Sequence, residues 1–308
     1  MLSSQTFQID NGYRGCKVLV TGATGFIGSH LAENLASLGG NVFGLTRSNK
    51  KCNPVQYIQV DMTDYSSLRK ALHLVQPEIV FHLAGLVDTR QDIHLVLPTL
   101  QNNLIGTVHL LTILKEIGSE RIVVLGSSEE PDVFCPGGTP YSPYAASKDA
   151  ITAYCKLFAA IFNIPVIVAR PFMTYGPRQA AEKFIPYSII SLLMKSAPKV
   201  SSGKRICDLI FIDDMVAGLL KIGASKLLNG DVVDLGTGKG TSLRSVLELL
   251  VELINPDLVP AYGEIPDRLG EYPQIADTTK ARSFFDFQSS WSLRDGLAAT
   301  IEWYRSHE

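Results

Sequence analysis

The eight residues Thr21-Gly22-Ala23-Thr24-Gly25-Phe26-Ile27-Gly28 constrain this chain more than any other stretch. An apolar run from Lys17 to Val20 leads into them and a helical pattern begins near Phe26, so they read as strand, glycine turn and helix in immediate succession. Gly22 suits a tight turn, Gly25 lets backbone approach a pyrophosphate with no Cβ in the way, and Gly28 lets the new helix pack close on the strand. The helix N-terminus then faces the phosphates of a dinucleotide. The spacing is GxxGxxG rather than GxGxxG, and the strand before and helix after set it apart from a chance glycine triplet.

The rest of the chain repeats this unit. Strand-like runs are expected at Lys17–Thr21, Val42–Leu45, Tyr57–Val60, Ile79–Leu83, Ile122–Leu125 and Pro165–Ala169, alternating with helical patterns near Phe26–Leu38, Ser66–Val75, Leu100–Ile117 and Tyr144–Phe162. This is the βαβ rhythm of an α/β fold with a doubly wound, Rossmann-type parallel sheet. After Arg170 the rhythm changes. Pro171, Gly176, Pro177 and Pro186 punctuate a loop-rich segment, and shorter elements follow at Leu209–Ile212, from Asp213, at Val232–Leu235 and from Ser242. The expected organisation is a dinucleotide-binding domain over 1–172, to which 207–236 returns, with 173–308 mainly a smaller substrate-binding cap over the carboxyl edge of the sheet.

Charge and cysteine usage narrow the partners. A net charge of −2, with 19% charged residues and no basic cluster beyond Lys50-Lys51, argues against nucleic acid or an anionic membrane as the main partner. The most apolar segment, Leu157 to Ala169, is interrupted by Asn163 and Pro165 and is too short to span a bilayer. The five cysteines, Cys16, Cys52, Cys135, Cys155 and Cys207, are odd in number and scattered without CxxC spacing, so no metal site is expected and a reducing cytoplasm fits. The polar first fifteen residues lack the pattern of a signal peptide.

Cofactor choice turns on the end of the second strand, where an acid meets a ribose 2′-hydroxyl and an arginine a 2′-phosphate. Here the segment reads Gly44-Leu45-Thr46-Arg47-Ser48, without an acid and with Arg47 at once, so NADP is favoured over NAD, although the same residues also read as an exposed basic loop. Asp61, after the third strand, suits either an adenine amino group or a helix N-cap. Tyr144 and Lys148 stand four apart in a helical pattern and share one face. A lysine ammonium near a phenol, assisted by an oxidised nicotinamide, is expected to lower the tyrosine from its usual value of about 10 and make it a general acid or base. Ser127, just past the fifth strand, can donate to the oxygen that gains or loses the hydride.

In this order and at these separations, the chain resembles an extended short-chain dehydrogenase/reductase of the NAD-dependent epimerase/dehydratase family, whose members act on nucleotide sugars. The matching pieces are TGATGFIG at 21–28, VDMTD at 60–64, FHLAG at 81–85, NLIGT at 103–107, GSS at 126–128, YSPYAASK at 141–148, ARPF at 169–172, RICDLIFIDD at 205–214, DLGTG at 234–238 and ADTTKA at 276–281. The resemblance implies cofactor contacts from Gly22, Thr24, Gly25, Phe26, Ile27, Gly28, Arg47, Asp61, Met62, Leu83, Ala84 and Gly85, with Asp61 on the adenine and Pro171 and Phe172 by the nicotinamide. It implies a catalytic Ser127, Tyr144 and Lys148, and a nucleotide-diphosphate sugar held through Ser128, Met173, Arg178, Arg205 and Arg268, the last two arginines on the phosphates.

Two departures bear on the substrate. After Ser127 the family often continues to an aromatic and a glycine, whereas Glu130 here leads to Pro131-Asp132, and Met173 stands where many relatives place an asparagine. RPF…GP with GSSEE is most similar to the GDP-sugar branch, which holds the GDP-mannose 4,6-dehydratase and the 4-keto reductase of its product. Ser128-Glu129 matches the serine-glutamate of those dehydratases and makes Glu129 a candidate extra acid/base. A 4-keto reductase is expected first, a 4-epimerase second and a 4,6-dehydratase third. A non-catalytic NADP-sensing protein would typically have lost Tyr144 or Lys148. In the family, the helices at Leu100–Ile117 and Tyr144–Phe162 pair across a dimer, which implies a symmetric homodimer that covers Leu110, Leu114, Leu157 and Phe158.

Overall fold

The computed structural model describes residues 12–48, 53–131, 138–267 and 272–307. Its frame is a seven-stranded parallel sheet of β1 (Lys17–Thr21), β2 (Asn41–Thr46), β3 (Gln56–Gln59), β4 (Ile79–His82), β5 (Arg121–Leu125), β6 (Val166–Pro171) and, much later in the chain, β10 (Val232–Leu235). The spatial order is β10-β6-β5-β4-β1-β2-β3. A sheet covered on both faces needs strands that are apolar throughout, and the central ones read as continuous Val/Ile/Leu runs.

Alternate residues of each strand then serve opposite layers. Val18, Val20, Phe81, Val123 and Ile167 join a cluster with Leu31 and Leu35 of α1 (Phe26–Ser37) and Met215 and Leu219 of α7 (Ile212–Ala224). Leu19, Val80, Ile122 and Val124 join Leu68 and Leu72 of α2 (Tyr65–Val75), Leu110 and Leu114 of α4 (Gly106–Ile117) and Ile151 of α5 (Pro143–Phe162). Each fully buried aliphatic side chain contributes roughly 1.5–3 kcal/mol. Leu110, Leu114 and Phe158 belong to this second layer and are at most 8% exposed, so the outward face expected of them is corrected: of the four residues, Leu157, at 43%, points to solvent.

The expected helix at Leu100–Ile117 is also composite. A short helix α3 (Val96–Thr99) runs into a π-helical turn, Leu100–Ile105, before α4 begins, and the wider turn brings Asn103 into the interior at 1% exposure.

The cap carries a three-stranded sheet of β11 (Gly240–Ser242), β9 (Ile206–Phe211) and β7 (Met173–Tyr175), and a two-stranded one of β12 (Ala261–Tyr262) and β8 (Lys199–Val200). Helices α6 (Phe184–Leu193), α8 (Leu243–Ile254) and α10 (Leu293–His307) pack together there, while α9 (Thr279–Phe285) packs back on β10 and α7. The return to the main sheet therefore begins at α7, not at residue 207. Residues 207–211 lie in β9, antiparallel to β11, and the buried Asp208 carboxylate accepts the backbone N–H groups of Thr237, Gly238 and Ala276. Among the described residues no helix is long and apolar enough to cross a membrane, and no group of His, Cys, Asp or Glu is placed to hold a metal ion.

Candidate active site

β1 pairs with β2 on one side and β4 on the other, so the winding of the chain reverses between β1 and β4 and opens a crevice at their carboxyl ends. The glycine turn sits at its mouth. Gly22 has φ +70°, and a Cβ there would stand 2.8 Å from the Ala84 nitrogen; a Cβ on Gly28 would run into the Gly22 carbonyl oxygen. Gly25 caps α1 without a side chain and no acid lies in the first turn, which leaves first-turn N–H groups for an anion.

From this mouth a cleft of about 1490 Å³ runs to the cap. Its walls include Gly22, Thr24 to Gly28, Arg47, Asp61, Met62, Leu83, Ala84, Gly85, Pro171 and Phe172, then Ser127, Ser128, Glu129, Tyr144 and Lys148, then Met173 and Arg205. The volume exceeds the roughly 300–1,000 Å³ of a site for one drug-sized ligand, and the side-chain-free turn fits a dinucleotide pyrophosphate.

A buried hydrogen-bond chain fixes the crevice walls. Thr107 Oγ1 donates to Asn103 O at 2.6 Å, so at its 2.8 Å contact with His82 Nε2 it accepts, and the other ring nitrogen accepts from Thr21 Oγ1 at 2.7 Å. Thr21 Oγ1 in turn accepts Leu83 N–H at 3.2 Å and Ala84 N–H at 3.1 Å. Burial, with the Lys148 charge second, pushes His82 down to about 3, so it is neutral. Asn103 continues the chain: it accepts Leu86 N–H at 2.6 Å and donates to Ser147 Oγ at 3.0 Å, one residue before Lys148.

Ser142 caps α5 through Ala145 N–H at 3.1 Å, and Pro143 fills the first helical position. The helix places Tyr144 (7% exposed) and Lys148 (6%) one turn apart at the carboxyl end of β5. Ser127 stands close enough to the Tyr144 phenol to lower its pKa, and with Lys148 both line one cleft, so the three expected residues do converge. Their electrostatics differ from expectation. Burial pushes Tyr144 up to about 12; Ser127 opposes the rise, and the Glu129 and Glu130 charges add to it. Lys148 does not lower Tyr144 in this arrangement: its ammonium donates to Leu125 O at 2.6 Å, lies 5.9 Å from the phenol ring centroid, and is itself pushed down to about 8 by burial.

The charged residues divide. Glu129 pairs with Arg205, whose Nη2 lies 3.2 Å from Glu129 Oε1 and donates to Gln274 Oε1 at 2.9 Å, so the cap is tied to the active-site loop. Arg178 is not a cleft residue, which corrects its expected substrate contact. Its guanidinium grips Glu33 of α1 through both carboxylate oxygens, at 2.6 and 2.9 Å, and its Nε donates to His30. Arg268 and Lys50-Lys51 lie outside the described residues. Asp61 is no N-cap: its carboxylate is held by Thr63 N–H and Oγ1, both at 2.8 Å, which lowers its pKa, while Asp64 caps α2. Glu130 escaped the sequence reading, as did the cap residues Lys183, Tyr187, Lys204 and Tyr272 on the cleft wall.

A dinucleotide crevice with a buried serine–tyrosine–lysine cluster at its floor defines an oxidoreductase-type site. The model of the NAD dependent epimerase/dehydratase family matches residues 18–236, and the chain belongs to this family of enzymes. It is 27% identical to UDP-glucose 4-epimerase of Mycolicibacterium smegmatis, over 94% of this chain and 99% of that protein. It is 28% identical to dTDP-glucose 4,6-dehydratase of Neisseria gonorrhoeae, over 93% and 95% respectively. Among solved structures, MoeE5 in complex with UDP-glucuronic acid and NAD superposes with a TM-score of 0.84 at 30% identity, covering 94% of this chain and 99% of that one.

Proposed function

We propose that this enzyme transfers hydride at C4 of the hexose of a nucleotide-diphosphate sugar, and that its net reaction is reduction of a 4-keto sugar with NADPH. The carrying observation is the Ser127–Tyr144–Lys148 cluster on the floor of one cleft that also reaches Arg205 in the cap. When bound, the nicotinamide supplies the hydride. Tyr144, neutral at pH 7, holds the proton that the C4 oxygen takes up, and Ser127 donates a hydrogen bond to the same oxygen as charge gathers there. Lys148, fixed by Leu125 O, orients the nicotinamide ribose and keeps positive charge one turn from the phenol.

Two features support reduction over the alternatives. Thr46 and the exposed Arg47 end β2 on the cleft wall without an acid, which suits a 2′-phosphate. Elimination of water would need an acid/base pair facing C5 and C6, yet Glu129 is paired with Arg205 and Glu130 is buried behind the loop. Epimerisation is the second reading, favoured by the likeness to UDP-sugar 4-epimerases. The substrate's diphosphate competes with Glu129 for Arg205, and the base is read as uridine by likeness to MoeE5, with guanosine suggested by the RPF…GP and GSSEE pattern. A reducing cytoplasm suits the scattered cysteines.

The test incubates the protein with UDP- and GDP-linked hexoses and their 4-keto-6-deoxy derivatives, with NADPH or NADH, followed by absorbance and mass spectrometry. Consumption of NADPH with a gain of two hydrogens is expected. Interconversion of UDP-glucose and UDP-galactose without net oxidation would replace reduction by epimerisation. Arg47→Ala should erase the preference for NADP(H); unchanged preference would refute its role.

A further inference from the structure

Glu130 lies behind the reaction site and forms no part of the cleft wall, yet it is 2% exposed and carries a carboxylate. Its Oε1 accepts the backbone N–H of Ser127 at 2.6 Å and its Oε2 accepts the Thr152 hydroxyl at 2.8 Å. Thr152 sits on α5 one turn beyond Lys148 and two beyond Tyr144. One carboxylate thus joins the loop that presents the Ser127 hydroxyl to the helix that presents the phenol and the ammonium.

The surroundings hold that carboxylate in place. Glu130 N–H donates back to Ser127 O at 3.1 Å, and a side chain on Gly126 would run into Oε1. Arg170 Nη1 stands 3.9 Å from Oε2, and Arg170 Nε is fixed by Asp234 at 2.7 Å. Burying a carboxylate is costly unless it is paired and hydrogen-bonded, and an apolar residue would fill the space at lower cost. What an apolar residue cannot do is accept the Ser127 N–H and the Thr152 hydroxyl together.

We propose that Glu130 is a positioning residue: its buried carboxylate braces the Ser127 loop against α5 and so holds the Ser127 hydroxyl on the side of the cleft where α5 presents the Tyr144 phenol. The inference rests on the reading that Ser127 and Tyr144 handle the transferred proton.

The test compares Glu130→Gln with Glu130→Ala. Both remove the charge, but glutamine keeps an acceptor for the Ser127 N–H and alanine does not. The first readout needs no substrate. In protein labelled with ¹³C at tyrosine Cζ, the Tyr144 resonance is assigned by its loss in Tyr144→Phe, and Ser127→Ala marks where it moves when the serine hydroxyl is gone. Glu130→Ala should move to the Ser127→Ala position while Glu130→Gln stays nearer the wild type. The second readout is turnover with the substrate found above: a loss of less than about 10-fold in Glu130→Gln, and about 10²-fold in Glu130→Ala with cofactor affinity unchanged. Identical resonances and identical losses in the two variants would mean that charge alone matters and would overturn the brace. If Glu130→Ala does not fold, Thr152→Val cuts one arm and leaves the charge; a wild-type resonance and wild-type turnover in that variant would overturn the proposal equally. A wild type without turnover on any sugar would refute the assigned reaction, while the order of the resonances still decides the brace.

Discussion

His82 makes stability depend on pH in a way that can be isolated. It is 3% exposed, bridges Thr21 and Thr107, and is held at about 3 by burial, whereas an unfolded histidine titrates near 6.5. Its folded value is depressed, so between those two values the unfolded chain binds the proton that the folded chain refuses, and stability falls as pH is lowered through 6.5. From pH 8 to pH 5 the loss from this one side chain is roughly 2 kcal/mol, from RT ln(1 + 10^1.5). His82→Gln should be less stable than the wild type at pH 8 by about 1–3 kcal/mol, since two buried hydrogen bonds are disturbed. At pH 5 the gap should narrow by about 2 kcal/mol, because glutamine has nothing to titrate. Urea unfolding of both proteins by tryptophan fluorescence at pH 8, 7, 6 and 5 measures the difference, in which carboxylates common to both cancel. Parallel stability curves would refute the argument, and with it the neutral His82 at the base of the crevice.

Other perturbations test the remaining assignments. Tyr144→Phe should cut turnover by about 10²-fold or more with cofactor affinity little changed, as steady-state kinetics and cofactor titration would show; full activity would remove the tyrosine from the mechanism. Arg178→Ala should leave nucleotide-sugar affinity unchanged and cost less than about 1 kcal/mol, because its partner Glu33 is a half-exposed surface carboxylate; calorimetric titration showing weaker sugar binding would return it to the cleft. We expect a symmetric homodimer covering the exposed Leu157, Ile161 and Phe162 of α5, and a stable monomer at micromolar concentration by light scattering would contradict it.

How far the sequence could be read depended on the range of each interaction. The glycine turn and the Tyr144/Lys148 pair are local patterns whose meaning follows from strand-to-helix geometry and from one helical turn, and they came out where expected. Arg178 was misread because its partner lies 145 residues earlier, on a helix that the loop after β7 crosses. Asn103 was invisible as a wall-fixing residue because a π turn departs from the 3.6-residue period on which helical faces are counted. The upward push on Tyr144 was not legible because acidity depends on burial, and a sequence shows the neighbouring lysine but not the loss of water. Glu130 stands beside another acid in a polar stretch, where no local pattern shows that the fold turns it inward.

The late arrival of β10 has a consequence for anyone who would cut or recombine this chain. The outermost strand beside β6 is made after the polypeptide has already built β7, α6, β8 and β9, and it leaves again for β11 and α8. A fragment ending near residue 172 would be no free-standing half. It would bare the ladder groups of β6, a run of valine and isoleucine, as an unguarded edge open to pairing with another chain. Swapping substrate preference between relatives by exchanging one contiguous C-terminal block would fail for the same reason. The pieces to be exchanged are interleaved stretches on either side of α7 and β10, and those two must stay with the sheet they complete.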